Sequence, residues 1–538
     1  MTTIALGQMR CEVGDLHGNA QRMEALALRA ITEQGADLIV FPELSLTGYP
    51  PEDLLLNASF VAEAKVALLA LAARVGGIDM LVGLPWAQDG QLYNAAAWIH
   101  AHKLVGLYRK QLLPNYGVFD EQRYFGSGDQ VLVRPVAGVS VGVTICEDLW
   151  ESAPARATVA AGARVLVNMN ASPYHRGKDL IRLETGRARQ AETGMAIVYV
   201  NMMGAQDELV FDGASFVLGR DGRVAVRAHA FEEDLVVARF DSEGQAQDGD
   251  QRVWPVPIAG VYRALTLGLR EYVQKNGFEQ VVLGLSGGVD SALALTLCCD
   301  AFAADKVQAV MMPSRYTRPM SIEDARIQAE KVGARLTVAP IAEIYTAFAQ
   351  TLDGHWQGPG HALATENLQA RIRGTVLMAL ANAQRGLVVV TSNKSELAVG
   401  YTTLYGDMAG GYAPLKDVFK TDVYALAYYR NGLSEVIPER VLTRPPSAEL
   451  RFDQKDTDSL PPYDLLDAIL LRIVEQNCGR QELLAAGYDP LIVDRVLTLV
   501  RLAEHKRKQA PLGTRVSARA FGRDWRYPVS ARYGVDKM

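Results

Sequence analysis

The chain has 538 residues, more than one hydrophobic core usually organises, so at least two domains are expected. Its 49% hydrophobic, 22% charged and 8% aromatic residues are those of an ordinary globular protein and exclude wholesale disorder or a membrane-embedded class. A formal net charge of -6 gives no pull toward nucleic acid or an anionic membrane, so polyanions are poor partner candidates.

In chain order, short apolar runs at residues 4–6, 38–41, 139–145, 165–167 and 197–200 alternate with alanine-rich helical stretches, which predicts a layered α/β domain. Residues 215–218 and 224–226, either side of Asp221-Gly222, predict a β-hairpin that closes it. The stretch DSEGQAQDGDQRVWPVP (241–257) is polar and ends in two prolines, the composition of an exposed connection. Domains are therefore expected at 1–245 and 261–538, with a linker over 246–260. A second alternating series, at 281–285, 307–311, 336–338 and 387–390, predicts a parallel sheet. Residues 353–361, 404–414 and 445–462 are rich in Gly, Pro or charge and are expected to be loops over a site.

The five cysteines (Cys11, Cys146, Cys298, Cys299 and Cys478) are odd in number and lack metal-type spacing beyond one adjacent pair, which points to a reduced, cytoplasmic setting. MTTIALGQMR runs quickly into polar residues, so neither a signal peptide nor a transmembrane span is expected there.

In LGLSGGVDSALALTL, an apolar strand breaks at Ser286-Gly287-Gly288 and a helix resumes after Ser291. Glycines let backbone N–H groups approach phosphate oxygens, Ser286 and Ser291 add hydroxyls, and the helix presents its positive end. Asp290 can hold a magnesium ion on the same phosphates. No lysine follows the glycines, so this is not a Walker loop. The alternative, a glycine-rich turn serving packing only, carries little weight with strand and helix both in place. Cys298 and Cys299, on the ensuing helix, read as core.

The loop resembles that of the N-type ATP pyrophosphatases, which cleave ATP between its α and β phosphates. That resemblance implies ATP contacts at Gly284, Leu285, Ser286, Gly287, Gly288, Val289, Asp290, Ser291 and Thr391. TSNKSELAVGYTTLYGDMAGGYAPLKDVFKTDVY (391–424), PPSAELRFDQKDTDSLPPYDLLDAIL (445–470), ENLQARIRG (366–374) and EHKRKQAP (504–511) narrow it to the NAD synthetases. The likeness implies deamido-NAD contacts at Asn367, Arg371, Glu396 and Lys506, and a magnesium site at Asp290 and Glu396. Asp407, Asp417 and Lys420 have the chemistry to position or neutralise reacting groups.

In the first half, three apolar runs end in reactive residues: DLIVFPE in Glu43, LVGLYRK in Lys110 and VSVGVTIC in Cys146. A thiolate can attack an amide carbonyl, a carboxylate can take the thiol proton, and an ammonium can stabilise the oxyanion. The set, within FPELSLTGY, YRKQLLPNYGVFDE and CEDLW, resembles the nitrilase (carbon-nitrogen hydrolase) family, whose core is a four-layer αββα sandwich. Glutamine-dependent NAD synthetases carry such a domain, and the resemblance implies glutamine contacts at Tyr116, Ser172 and Lys178. Glu147, beside the nucleophile, is expected to orient the lysine or cap the turn.

The expected fold is thus a nitrilase-like αββα sandwich followed by a Rossmann-like parallel-sheet ATP pyrophosphatase domain. The expected activity is glutamine-dependent amidation of deamido-NAD with ATP and magnesium, by a homo-oligomer. A GMP or asparagine synthetase would share the phosphate loop but not the Glu-Lys-Cys amidase. A catalytically dead nucleotide sensor would not need to retain both sets of residues.

Overall fold

Alternation along strand Thr2–Gln8 sends Ile4 and Leu6 into one apolar layer and Ala5 into another, and both are buried in the computed structural model, which describes residues 1–531. Burial on both faces is why these strands read as continuous apolar runs. The chain divides into two compact units, Met1–Pro257 and the residues from Ile258 onward.

The first unit holds two six-stranded sheets. One runs Asp234–Phe240, Thr2–Gln8, Leu38–Val40, Asp79–Gln88, Gln91–His100, Lys103–Arg109; the other Val224–Arg227, Phe216–Leu218, Ala196–Asn201, Val165–Asn170, Val139–Ile145, Leu132–Val136. Ile4, Leu38, Leu81 and Trp98 of the first share a core with Val141, Val165, Val198 and Val217 of the second, which places the sheets face to face. Helices Leu16–Gln34 and Ala58–Arg74 cover the outer face of the first through Met23, Ala27, Leu68 and Leu71. Ser152–Ala160 and Lys178–Thr193 cover the second through Ala155 and Leu183. The αββα layering expected from the sequence is observed.

The predicted hairpin is present, with Phe216–Leu218 antiparallel to Val224–Arg227, but it does not close the unit. Asp234–Phe240 follows and pairs antiparallel with Thr2–Gln8. The segment expected to be an exposed connection also belongs here. Gln247 N donates to Arg239 O (2.8 Å), Gly249 N to Ala225 O (2.9 Å), and Trp254 Nε1 to Ala228 O (2.9 Å). Backbone groups and the Gln251 and Trp254 side chains together tie this segment to the first unit, which composition does not report, and helix Pro257–Lys275 begins where the linker was expected to continue.

The second unit is built on a parallel sheet ordered Arg335–Val338, Val307–Met311, Gln280–Gly284, Gly386–Val389. The order reverses between the last two, and the carboxyl ends of such neighbours leave a crevice. Helix Val289–Ala301 is apolar all round and almost wholly buried. A further helical layer, Tyr463–Val474, Arg480–Ala485 and Pro490–Leu502, shares a core with Leu397, Phe419 and Trp525 and was not anticipated from the sequence. Among the described residues no helix is long and apolar enough to cross a membrane, and the five cysteines are free.

Candidate active sites

Strand Val139–Ile145 ends at Cys146, which opens a 3-10 turn at φ 43° with its side chain buried. A positive φ at a non-glycine residue is strained, and such strain concentrates at functional positions. Asp148 holds the turn: its carboxylate accepts from Ile145 N (3.0 Å), Tyr108 OH (2.7 Å), Gln111 N (3.1 Å) and Leu112 N (2.9 Å). Burial pushes that carboxyl up to about 6 even against these hydrogen bonds.

Glu43 follows strand Leu38–Val40 and is 1% exposed. Its Oε1 accepts from Lys110 Nζ (2.7 Å) and Asn94 Nδ2 (2.8 Å), and its Oε2 from Ala171 N (3.0 Å). The backbone passes so close to Gly83 that a Cβ there would collide with Pro42 O and Leu44 N, so only glycine lets Glu43 sit where it does. Lys110, fully buried, also donates to both oxygens of Glu121 (2.9 and 2.8 Å), which accepts from Tyr49 OH (3.1 Å). Burial works against the lysine's charge, but Glu121 and Glu43 outweigh it and hold its pKa well above the ordinary value. Burial, with Glu43 adding to it against Lys110, drives the Cys146 thiol well above its usual range. The resting sulfur is therefore a thiol, which needs a base at the moment of attack.

The structure brings the three sequence-predicted residues into one electrostatically coupled group and adds Glu121, which sequence reasoning missed. Its signal was present as the last residue of YRKQLLPNYGVFDE. Burial lifts the Glu121 carboxyl to about 7, with Lys110 pulling it back. Glu147 neither orients the lysine nor caps the turn. Glu43 and Glu121 do the first and Asp148 the second, while Glu147 accepts from Tyr116 OH (3.0 Å).

Tyr116 and Lys178 both border Glu147, and Lys178 Nζ lies 4.0 Å over the Trp150 ring. Ser172 is buried one residue beyond the amide that holds Glu43.

In the second unit a cavity of 260 Å³ opens where strands Gln280–Gly284 and Gly386–Val389 end. Gly284, Leu285, Ser286, Gly288, Val289, Asp290, Ser291 and Thr391 line it, with Glu396, Asp407, Lys420 and Arg373. Gly287 does not. At φ 80° it packs on Ser321, whose backbone a Cβ would strike, and so shapes the loop from behind. The two serine hydroxyls also bond within the loop, 3.0 Å from each other, with Ser291 Oγ donating to Gly288 O (3.0 Å). Gly288 caps helix Val289–Ala301, whose N-terminus faces the cavity.

Asp290 accepts from Asn393 Nδ2 (2.8 Å) and pairs with Lys420, whose Nζ is also 3.3 Å from Glu396 Oε1. Glu396 is fixed by a capping box with Asn393 on helix Lys394–Val399. Burial lifts its carboxyl to about 8, opposed by Lys420 and reinforced by Asp290, Asp456 and Asp407.

No group of three His, Cys, Asp or Glu is assembled as a cation cage among the described residues. Asp290 and Glu396 are hard oxygen donors that both approach Lys420 Nζ. That fits magnesium, which is held by one or two carboxylates with phosphate and water completing its shell.

Asn367, Arg371 and Lys506 do not line the cavity; they gather on the neighbouring segment 400–404. Asn367 Oδ1 accepts from Thr403 Oγ1 (3.0 Å), Arg371 Nε donates to Leu404 O (3.2 Å), and Lys506 Nζ donates to Gly400 O (2.7 Å) and Thr402 O (2.6 Å). Asp407 joins this cluster to the cavity, accepting from Thr403 N (2.6 Å), and burial raises it to about 6. Lys420 lines the cavity as expected, but Asp417 does not. It is buried against Lys394 (2.9 Å) and Ser517 Oγ (2.8 Å), a structural ion pair that no ligand in the cavity would meet. Of the loops expected over the site, residues 406–409 and 445–450 contribute lining, whereas 353–361 contribute none.

A buried thiol with a Glu-Lys pair on an αββα sandwich, joined in one chain to a Ser-Gly-Gly phosphate loop on a parallel sheet, defines an amidase-containing ATP-using ligase. The carbon-nitrogen hydrolase family matches residues 3–248 and the NAD synthase family residues 261–510. The glutamine-dependent NAD(+) synthetase of Acinetobacter baylyi is 48% identical over 533 residues, covering 98% of each chain. That of Aquifex aeolicus is 43% identical, covering 99% of this chain and 100% of the other. A solved glutamine-dependent NAD+ synthetase from Acinetobacter baumannii, in complex with adenosine diphosphate, is 44% identical with a TM-score of 0.80 over 98% of both chains. One from Cytophaga hutchinsonii, 21% identical with a TM-score of 0.86, shares the fold. The chain belongs to the glutamine-dependent NAD(+) synthetase family.

Proposed function

We propose that the first unit hydrolyses glutamine and the second uses the ammonia to convert deamido-NAD to NAD at the expense of ATP. Glu43 takes the Sγ proton of Cys146 as the sulfur attacks the side-chain amide carbon, and Lys110 stabilises the oxyanion. Glu43 returns the proton to the leaving nitrogen, releasing ammonia and a thioester. Water, deprotonated by Glu43, then frees glutamate. Tyr116, Ser172 and Lys178 hold the amino-acid end of glutamine.

In the second unit residues 284–286 and 288–291 and the helix N-terminus cradle the ATP phosphates, Gly287 shapes the loop behind them, and Thr391 meets the adenosine. Asn367, Arg371, Glu396 and Lys506 bind deamido-NAD. Its nicotinate carboxylate attacks the α-phosphorus, pyrophosphate leaves, and ammonia displaces AMP from the resulting acyl adenylate. A magnesium ion held by Asp290 and Glu396 would neutralise charge on the phosphates. Lys420, beside both carboxylates, is placed to steady the same charge. A cytoplasmic homo-oligomer completes the proposal, the free cysteines supporting the reduced setting.

What carries this reading is that a glutamine-dependent NAD(+) synthetase 48% identical to this protein matches it over 98% of the chain. The test is NAD formation from deamido-NAD, Mg-ATP and either glutamine or ammonium chloride. Release of AMP and pyrophosphate only when deamido-NAD is present supports it; release with another acceptor, or none with deamido-NAD, rejects it.

The Glu121 carboxyl also predicts a pH dependence. Below about 7 it is protonated, and Lys110 is left to pair with Glu43 alone. Above about 7 the ionised Glu121 shares the lysine and holds its ammonium in place for the oxyanion. Glutamine hydrolysis is therefore expected to rise through pH 7, and Glu121→Gln to remove that inflection. A pH–rate series of glutamate release checks this, and an unchanged inflection in the variant rules the assignment out.

A further inference from the structure

The mechanism above leaves one fully buried ion pair of the first unit without a part. Arg182, on helix Lys178–Thr193, is 1% exposed and grips Asp212 through two bonds from NH1 (2.7 and 2.9 Å). Its remaining donors all go to one short segment: Nε to Ser172 Oγ (3.2 Å), and NH2 to Ser172 O (2.7 Å) and Pro173 O (3.2 Å).

That segment is held at other points too. Ala171 N donates to Glu43 Oε2 (3.0 Å), Ser172 N to Asn201 Oδ1 (2.9 Å), and Tyr174 N to Val210 O (2.7 Å). Burying an ion pair seldom raises stability over apolar packing of the same volume, so a pair whose planar fork is spent on one hydroxyl and two carbonyls is better explained by direction than by stability. Because the Ser172 hydroxyl accepts from a guanidinium that can only donate, its own proton remains to be given, to the buried Tyr199 hydroxyl beside it or, once glutamine is bound, to the substrate carboxylate.

We propose that Arg182, anchored by Asp212, is a positioning residue for glutamine: it sets the Ser172 hydroxyl to donate to the α-carboxylate. The proposal rests on the reading of Ser172 as a glutamine contact. It assigns glutamine affinity to a residue that does not itself touch the substrate.

The test uses the full-length enzyme with Arg182→Lys and, in parallel, the milder Asp212→Asn. Three quantities are read: the KM for glutamine, NAD formation from ammonium chloride, and iodoacetamide alkylation of Cys146, followed by peptide mass with and without glutamine. The expected result is a glutamine KM raised roughly tenfold or more with a smaller change in kcat. The glutamine concentration that half-protects Cys146 should rise in proportion, while the alkylation rate without glutamine and the ammonium-driven rate hold. Adding Ser172→Ala to Arg182→Lys should then raise KM by less than the product of the single effects.

An unchanged glutamine KM in both variants overturns the proposal, as does full multiplicativity in the double variant. An altered alkylation rate in the absence of glutamine overturns it as well, since that would mark a general disturbance of the unit. Failure of glutamine to protect Cys146 in the unmodified enzyme would instead remove the underlying reading, and this proposal with it.

Discussion

Cys146→Ala is expected to abolish NAD formation from glutamine and leave formation from ammonium chloride at its original rate. The sulfur is the covalent nucleophile, so its removal should lower glutamine-driven synthesis on the order of 10⁴-fold or more, as loss of a nucleophile does when no neighbouring group can replace it. Glu43 and Lys110 remain bonded to each other and to Asn94 and Glu121, so the site keeps its shape without the sulfur. Initial rates with each donor decide the matter. Equal loss with both would refute separate sites for hydrolysis and ligation.

Asp290→Asn should have the complementary effect: NAD formation falls with either donor, while glutamine hydrolysis persists. Asp290 stands in the first turn of helix Val289–Ala301, at the cavity wall, paired with Lys420 and held by Asn393. The amide keeps the shape but removes the charge that holds a cation and balances Lys420. Loss of one such preorganised electrostatic group costs roughly 10²–10³-fold in rate. Pyrophosphate release measured at rising magnesium concentration checks it, with partial recovery expected at the highest concentrations. NAD formation at the normal rate would remove Asp290 from any role in metal or phosphate binding.

Sequence reading succeeds where local physics dictates the structure. The phosphate loop could be located because a strand, two glycines and a helix must follow one another within a dozen residues, and each leaves a compositional mark. Cys146, Glu43 and Lys110 were legible for a similar reason, each standing at or just beyond the end of an apolar strand. Asp417 was misread because charge in a motif does not reveal its partner: Lys394 lies 23 positions away in sequence and 2.9 Å away in space. The segment after residue 245 is largely exposed and leads to the boundary between the two units, as its composition indicates, but composition does not report the hydrogen bonds that tie it to the first unit.

The sequence by itself determined the two αβ units, their order, and the chemical identity of the groups at both sites, because strand alternation and turn chemistry are short-range properties. Only the tertiary structure decided which charges neutralise one another. It gave Lys110 a second carboxylate in Glu121, placed Asp290 and Glu396 about one lysine, and directed Arg182 onto Ser172. The reason is electrostatic: what a buried charge does is set by its nearest partner and by its exclusion from water, and both arise only when segments far apart in the chain are packed together.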